Sequence, residues 1–537
     1  MAFAAEAAAP APAAEDPQPT LPSPEELEAS GAVIGEVRIL VGDVFDTNVE
    51  GEDGWLYRAA NKLHIDTRPR IIRDQLLFKP GDAYDARVVE ETERILRSNE
   101  YLYEAVIVPV AWDGKVVDLE VRTRDVWTLN PGVNFSRKGG ENTWGAQIQE
   151  DNLAGTGVKL DFEWSSDIDR ESVLFSYLNP HFFEPFTRFG LTYIDSDDGQ
   201  TQLMQLARPF YSLDARRAGG LFLSDAEFNE TRYVLGDDVG EFQHDREFYE
   251  AYGGWSAGLQ GRWVRRWTYG VTYQRDEFAL DPEFDPAGPL PEDRELLQPW
   301  LGFELIEDQY EERRNLDQIL RTEDVLVGLR TSLRIGYASE SLGSDRDALI
   351  ASATVRDGVD LPHGQSIFGS ATVSGRIEDE GIQNGILSAE GRYYLETSSR
   401  SKFYALLSGT VTEELDEETQ LTLGGDSGLR GYPIRYQAGT SRALLTLEQR
   451  YYTKWYPFRL FHVGAAAFFD AGRTWGRDVT GLESSGLLKD VGIGLRLGSS
   501  RSSFGNVVHI DLAFPLDSAE GDDIDSVQLL VTTKASF

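Results

Sequence analysis

The residues with the most chemistry to offer stand in one stretch, Gly424-Gly425-Asp426-Ser427-Gly428-Leu429-Arg430-Gly431-Tyr432-Pro433. Its segment Gly425-Asp426-Ser427-Gly428 is spelled like the nucleophile segment of a chymotrypsin-type protease. That chemistry needs an imidazole base oriented by a buried carboxylate. The chain has six histidines, His64, His181, His244, His363, His462 and His509, and none stands in a recognisable base motif. A phosphate-binding loop needs Gly-Lys-Ser/Thr after its glycines, and none follows here. No Ser/His/Asn or acid-pair constellation appears elsewhere, so the expectation is a protein without catalytic residues, bound metal or cofactor. What remains is Arg430. Glycines allow positive φ and close backbone approach, which predicts a tight, specifically folded loop. A guanidinium held in such a loop forms directed, paired hydrogen bonds and calls for a carboxylate.

The elements that position this arginine read as alternating strands. In Arg442 to Tyr451, Ala443, Leu445, Leu447 and Tyr451 point one way, and Arg442, Thr446, Glu448 and Arg450 the other. In Leu460 to Asp470, Asp470 shares the small and polar face with His462, Gly464 and Ala466. The chain ends on a strand with Val527, Leu529, Val531, Thr533, Ala535 and Phe537 on one face and Gln528, Leu530, Thr532, Lys534 and Ser536 on the other. Strands with charges on one face and apolar residues on the other fit a membrane barrel with a wet lumen, where Glu448, Arg450 and Asp470 look inward. The bland alternative is the edge of an ordinary β-sandwich.

Composition sets the bounds. Over 537 residues, 51 Lys and Arg face 90 Asp and Glu, a formal net charge of -39. That disfavours nucleic acid as a partner, since phosphates demand a basic face. Cysteine is absent, so there is no disulfide framework or thiolate metal site. No apolar run reaches the 18 or so residues a spanning helix requires, whereas barrel strands need only about 9–11.

Taken in order, residues 1–30 are rich in Ala, Pro and Glu and read as a disordered linker or the remnant of a signal. Residues 31–127 read as a small α+β unit. Val33 to Val41 is a strand, and Trp55, Leu56, Ala59 and Leu63 repeat at helical spacing. Asp85 caps a helix with Val88, Val89, Thr92, Ile95 and Leu96 on one face, and Asp113-Gly114 joins two further strands. The apolar faces of both helices are expected to be core. From residue 128 to 537 the pattern is strands alone, including Leu326 to Tyr337. About twenty are countable, fifteen before the Arg430 loop and five after it. Between Phe228 and Thr322 two readings stay open: hairpins outside a barrel wall, or a larger barrel.

Leu429-Arg430-Gly431-Tyr432 followed by Phe468-Phe469-Asp470-Ala471-Gly472 resembles the paired motifs of the BamA/TamA superfamily of outer-membrane assembly factors (the bacterial surface antigen type). Asn152-Leu153-Ala154-Gly155-Thr156-Gly157 and Asn179-Pro180-His181-Phe182 resemble that family's first two periplasmic turns, and residues 31–127 resemble one POTRA domain. The resemblance implies a mainly β fold: a sixteen-stranded antiparallel transmembrane barrel behind an α+β module in the periplasm. It implies that Arg430 enters the lumen and pairs with Asp470. It further implies a weakly paired seam between the first strand, with Gly132 and Asn134, and the last, with Leu529, Val531 and Phe537.

The function implied is an outer-membrane insertase or translocase of client polypeptides, among them unfolded outer-membrane proteins, surrounded by lipid and lipopolysaccharide. Rival readings are a secretion pore dedicated to one partner, a passive channel, and an outer-membrane enzyme such as a phospholipase. A free sheet edge in the α+β unit is the expected entry point for an extended peptide.

Overall fold

The computed structural model describes residues 21–281, 286–481, 483, 486–503, 507–517 and 524–534. The N-terminal unit carries helices α1 (Pro24–Ala29), α2 (Trp55–Leu63), α3 (Pro69–Arg73) and α4 (Ala86–Arg97), and strands β1 (Val33–Gly42), β2 (Leu102–Trp112) and β3 (Val116–Asp125). The sheet order is β1-β3-β2, with β1 parallel and β2 antiparallel to the central β3. Asp113 turns the β2–β3 hairpin by accepting from the amides of Lys115 and Val116, and Gly114 takes φ of 97°. The Asp85 side chain caps α4 by accepting from Val88 N at 3.1 Å. Ile34, Ile72, Val89, Leu96, Leu102, Leu119 and Val121 form the core.

Two expectations for this unit change. The expected linker 1–30 ends in structure, because α1 begins at Pro24 under a capping box between Ser23 and Glu26 and buries Leu27 fully in the core. The linker's first twenty residues lie outside the described residues. The apolar side of α2 is also not core. Tyr57 and Asn61 face inward instead: Tyr57 packs on Phe45 with ring centroids 4.8 Å apart, and Asn61 bonds both the amide and the carbonyl of Phe45. Trp55, Leu56 and Leu63 are left exposed.

From Leu129 the chain forms one closed antiparallel ring of twenty strands, from Leu129–Lys138 to Gln528–Lys534. Fifteen precede the Arg430 loop and five follow it, so the larger count holds over sixteen. Of the two readings left open by the sequence, both are true in part. Ten wall strands run to Arg294–Glu307, and a separate hairpin, Tyr310–Arg314 with Thr322–Leu326, stands off the wall before Arg330–Ala338 rejoins it. The expected strand Leu326 to Tyr337 is therefore split. Gln309 O accepts from Val327 N and Gly328 N and turns the chain back, and Glu307 N meets Leu329 O at 2.8 Å to restart the wall. Three consecutive strands, Arg217–Val234, Asp237–Gln260 and Trp263–Leu280, have 18, 24 and 18 residues. Since about 9–11 residues cross a bilayer, they project well past it at the end of the barrel remote from the N-terminal unit.

Candidate functional site

The loop between Ser401–Glu413 and Ser441–Tyr452 folds back into the lumen. Its base is a short ladder, Leu421–Leu423 with Gln437–Gly439. Ser427, the decoy nucleophile, is used up by its own turn: its Oγ accepts from Gly424 N at 2.7 Å, and Leu429 N closes onto Gly424 O at 2.9 Å. Gly428 takes φ of 116°, a region costly for side chains, and a Cβ there would stand 2.4 Å from Leu444 Cδ2. Leu429 and Tyr432 are fully buried among Leu423, Tyr436, Leu444 and Leu488. Tyr432 donates its hydroxyl proton to Lys489 O at 2.8 Å, and Gly431 N donates to Asp490 Oδ2 at 3.0 Å.

These anchors deliver Arg430 to the wall. Its Nε and Nη2 meet Asp470 Oδ2 and Oδ1 at 2.7 and 2.9 Å, a fork matched to a carboxylate. Its Nη1 donates to Glu448 Oε1 at 2.7 Å, and the guanidinium lies 3.4 Å from the ring centre of Phe468. Arg430, Glu448 and Asp470 are all buried. The register explains the convergence. Thr446 faces Asp470 and Glu448 faces Phe468 across adjacent strands, so alternation brings all of these onto the inward face. The cluster extends further: Arg450 Nε reaches Glu448 Oε2 at 3.0 Å, Arg496 pairs with Asp511, and Asp511 stands 3.7 Å from Arg430 Nη1. Sequence reasoning named Phe468 only as part of a motif, without its contact to Arg430, and missed Asp490, Arg496 and Asp511. The signal was present in the strands Leu488–Ser499 and Val507–Pro515, where Asp490 and Arg496 share one alternate face and Asp511 shares one with His509, as the charges do in Arg442 to Tyr451. Farther out, Arg435 forks onto Asp169 at 2.6 and 2.7 Å and ties the loop to the third strand-to-strand turn.

A second body fills the opposite mouth. The 310–326 hairpin inserts its tip under the cluster: Arg450 Nη1 donates to Leu316 O at 3.1 Å, Tyr452 Oη to Asn315 O at 2.9 Å, and Ile319 packs with Tyr452, Ala466 and Val507. Its other side meets the N-terminal unit. Arg97 of α4 bonds Asp324 through Nε at 2.8 Å and Nη2 at 2.6 Å, and Arg94 lies over Tyr310. The loop Asn152 to Gly157 docks there as well, through Asn152 Nδ2 to Thr67 Oγ1 at 2.8 Å and Arg68 N to Gly155 O at 2.9 Å. His64, Asp66 and Asp125 place metal-type atoms within 4.8 Å of one another. Of these, His64 and Asp125 already share a 3.0 Å hydrogen bond, and Asp125 also accepts from Thr67 N, which explains the trio as part of the joint between unit and barrel.

The ring is thin at one place. The last strand meets the first through a single register pair among the described residues, Val531 with Arg137. Every other neighbouring pair of wall strands is joined by seven or more pairs. Gly132 and Asn134 face the lumen beside Gln147, with Asn134 Nδ2 on Gln147 Oε1 at 2.7 Å. On the outside, Val133 is 79% exposed, and Leu529 faces outward too. Phe537 lies outside the described residues.

Residues 327–534 match the Omp85 superfamily domain. No curated protein matches the chain. Among solved structures, the fold is similar to BamA from Haemophilus ducreyi lacking POTRA domains 1–3, at 14% identity and a TM-score of 0.39, covering 94% of this chain and 84% of that one. It is similar to CdiB from Acinetobacter baumannii, at 11% identity and 0.48, covering 94% and 74%, and to CdiB from Escherichia coli, at 13% and 0.47, covering 95% and 77%. The latch pair and the last ten wall strands all fall inside the matched residues, so this part of the chain, closing a twenty-stranded barrel, is similar to the Omp85 superfamily domain.

Proposed function

We propose that the protein inserts or translocates client polypeptides across its seam, with the N-terminal unit serving as a single periplasmic POTRA domain over residues 31–127, to which α1 adds. The observation that carries this reading is the one-pair junction between Val531 and Arg137. Backbone groups left unpaired in hydrocarbon cost several kcal/mol each. A client strand that pairs with the first or last strand satisfies those groups and enters the bilayer by β-augmentation. Arg430 and Asp470 serve as a structural latch that holds the loop in the lumen. β1 and β2, the two edges of the small sheet, offer a landing strip for extended peptide on the way.

The chain has no native cysteine, so an engineered pair is unambiguous. Val531→Cys with Arg137→Cys staples the seam under oxidation. In proteoliposomes the unstapled protein should speed the folding of a client barrel, and oxidation should abolish the acceleration until a reductant restores it. Acceleration indifferent to the staple sinks the seam mechanism. No acceleration by the unstapled protein sinks the insertase reading.

A secretion pore for one partner is the second reading, favoured by the 310–326 hairpin, which stands off the wall as a separate body and seats its tip inside the lumen. Export of a secreted polypeptide that survives the seam staple but stops when the hairpin is tethered to the wall selects this reading.

A further inference from the structure

The outward side of α2 is an apolar face that none of the described residues covers. Trp55 and Leu63 are each 75% exposed, and Leu56 and Ile65 are exposed beside them. The helix is nevertheless firmly placed. Its inner side is sealed on Phe45, and the residues before it are pinned to the barrel turns, with Arg501 Nη1 donating to Val44 O at 2.6 Å and Arg501 also paired with Glu52. Tyr57 Oη donates to Phe458 O at 3.2 Å, and Arg459 Nη2 to Glu50 O at 3.3 Å. Phe458 and Trp455 stand in the turn that joins Ser441–Tyr452 to Phe461–Trp475, and both are themselves exposed. That turn is continuous with the outer wall through Tyr451 and Phe461, which face outward. The apolar face of α2 thus sits at the rim where the barrel's lipid belt ends.

Charge gives the second argument. The chain carries 90 acids against 51 bases, yet residues 54–65 and 453–465 contain no acid at all. They contain Arg58, Lys62, Lys454 and Arg459. Of the acids just outside, Glu52 is taken by Arg501, while Asp53 and Asp66 stand at the two ends of the helix segment. An aromatic and aliphatic face framed by basic side chains is the signature of a helix lying in a bilayer interface, with cations at the headgroups and apolar groups below them.

We infer that α2, together with Trp455 and Phe458, docks on an anionic phospholipid surface, the leaflet on the side of the N-terminal unit. The contact fixes that unit against the membrane and keeps its sheet edges at the height of the barrel mouth.

The test uses the full chain in nanodiscs, with one environment-sensitive label on Leu56→Cys and, separately, on Arg122→Cys, an exposed sheet position of the same unit. Each variant is first checked for the heat-dependent gel mobility of a folded barrel. In discs containing phosphatidylglycerol the label at 56 should move to shorter emission wavelength and be quenched several-fold more by spin-labelled lipid than the label at 122. Arg58→Glu with Lys62→Glu should return it to the aqueous signal without unfolding the barrel. Three results overturn the inference: a label at 56 that stays aqueous in lipid, a signal that ignores the charge reversal and is equal in zwitterionic discs, and protection that appears only on adding an unfolded client polypeptide. The last assigns the face to peptide instead.

Discussion

Arg450 donates from Nη1 to Leu316 O at the tip of the hairpin and from Nε to Glu448, the same carboxylate that receives Arg430. One guanidinium therefore joins the body that stoppers the mouth near the N-terminal unit to the loop that enters from the other end. Its position 3.9 Å from the ring centre of Tyr404 holds it in place.

The first prediction concerns release of the hairpin. Arg450→Met keeps most of the side-chain length and removes the donors. A cysteine at Leu316, a buried position, reports departure of the tip by its reaction with a water-soluble thiol reagent. Labelling should be several-fold faster with Arg450→Met than without it. Equal rates show that the hairpin is held without the latch.

Breaking one side of the buried Arg430–Asp470 pair leaves an uncompensated charge, a loss of about 3–5 kcal/mol. Arg430→Ala should lower the temperature at which the barrel loses its compact gel mobility. Arg430→Lys should recover only part of the loss, since an ammonium cannot fork onto both oxygens. Arg430→Ala combined with Asp470→Ala should cost clearly less than the sum of the two single changes. Additive losses would deny the pairing.

Gly431 is needed for space rather than for an unusual φ. A Cβ there stands 2.6 Å from the Cβ of Asp490 and 3.1 Å from Pro515 N. Gly431→Ala should destabilise by about 1–3 kcal/mol through overpacking. It should also weaken the bond from the 431 amide to Asp490, seen as faster exchange of that amide proton.

Burial on α4 pushes the Glu93 carboxyl up to about 7, against the amide of Ile107 and the charge of Arg97, which pull it down. Its pKa in the folded unit thus lies above the 4.5 of a glutamate free in water. Between those values the folded state holds the proton more often than the unfolded one, so this group's contribution to stability falls as pH rises from about 4.5 to 7 and levels off above. Glu93→Gln, neutral at all pH, removes that slope. In the full chain, the difference in hydrogen-exchange protection of β2 between variant and parent should grow across this interval in favour of the variant. A difference flat with pH contradicts the assignment.

Much of this was legible in sequence because alternation at period two is a strong signal where one face is wet and the other meets lipid. Glu448, Arg450 and Asp470 could be placed inward on that ground alone. Arg430 with Asp470 needed the resemblance, since no local rule links a loop to a strand two elements away. The 310–326 hairpin was not separable from wall strands, because its short segments alternate as the wall does and only pairing partners distinguish them. Trp55, Leu56 and Leu63 misled for the reverse reason. Helical spacing of apolar residues marks a face that leaves water, and it does not say whether protein or lipid receives it. The thin seam, like the latch, was reached only through the resemblance, because it is a property of how far two strands overlap rather than of which residues they contain.

Barrel diameter grows about linearly with strand number, so twenty strands enclose roughly one and a half times the cross-section of the sixteen that the resemblance implied. A loop long enough to occlude the smaller ring cannot occlude the larger one unaided. The 310–326 hairpin takes up part of the surplus area. On the pore reading, the aperture that its withdrawal would open is set by the circumference of the wall rather than by the loop that carries Arg430.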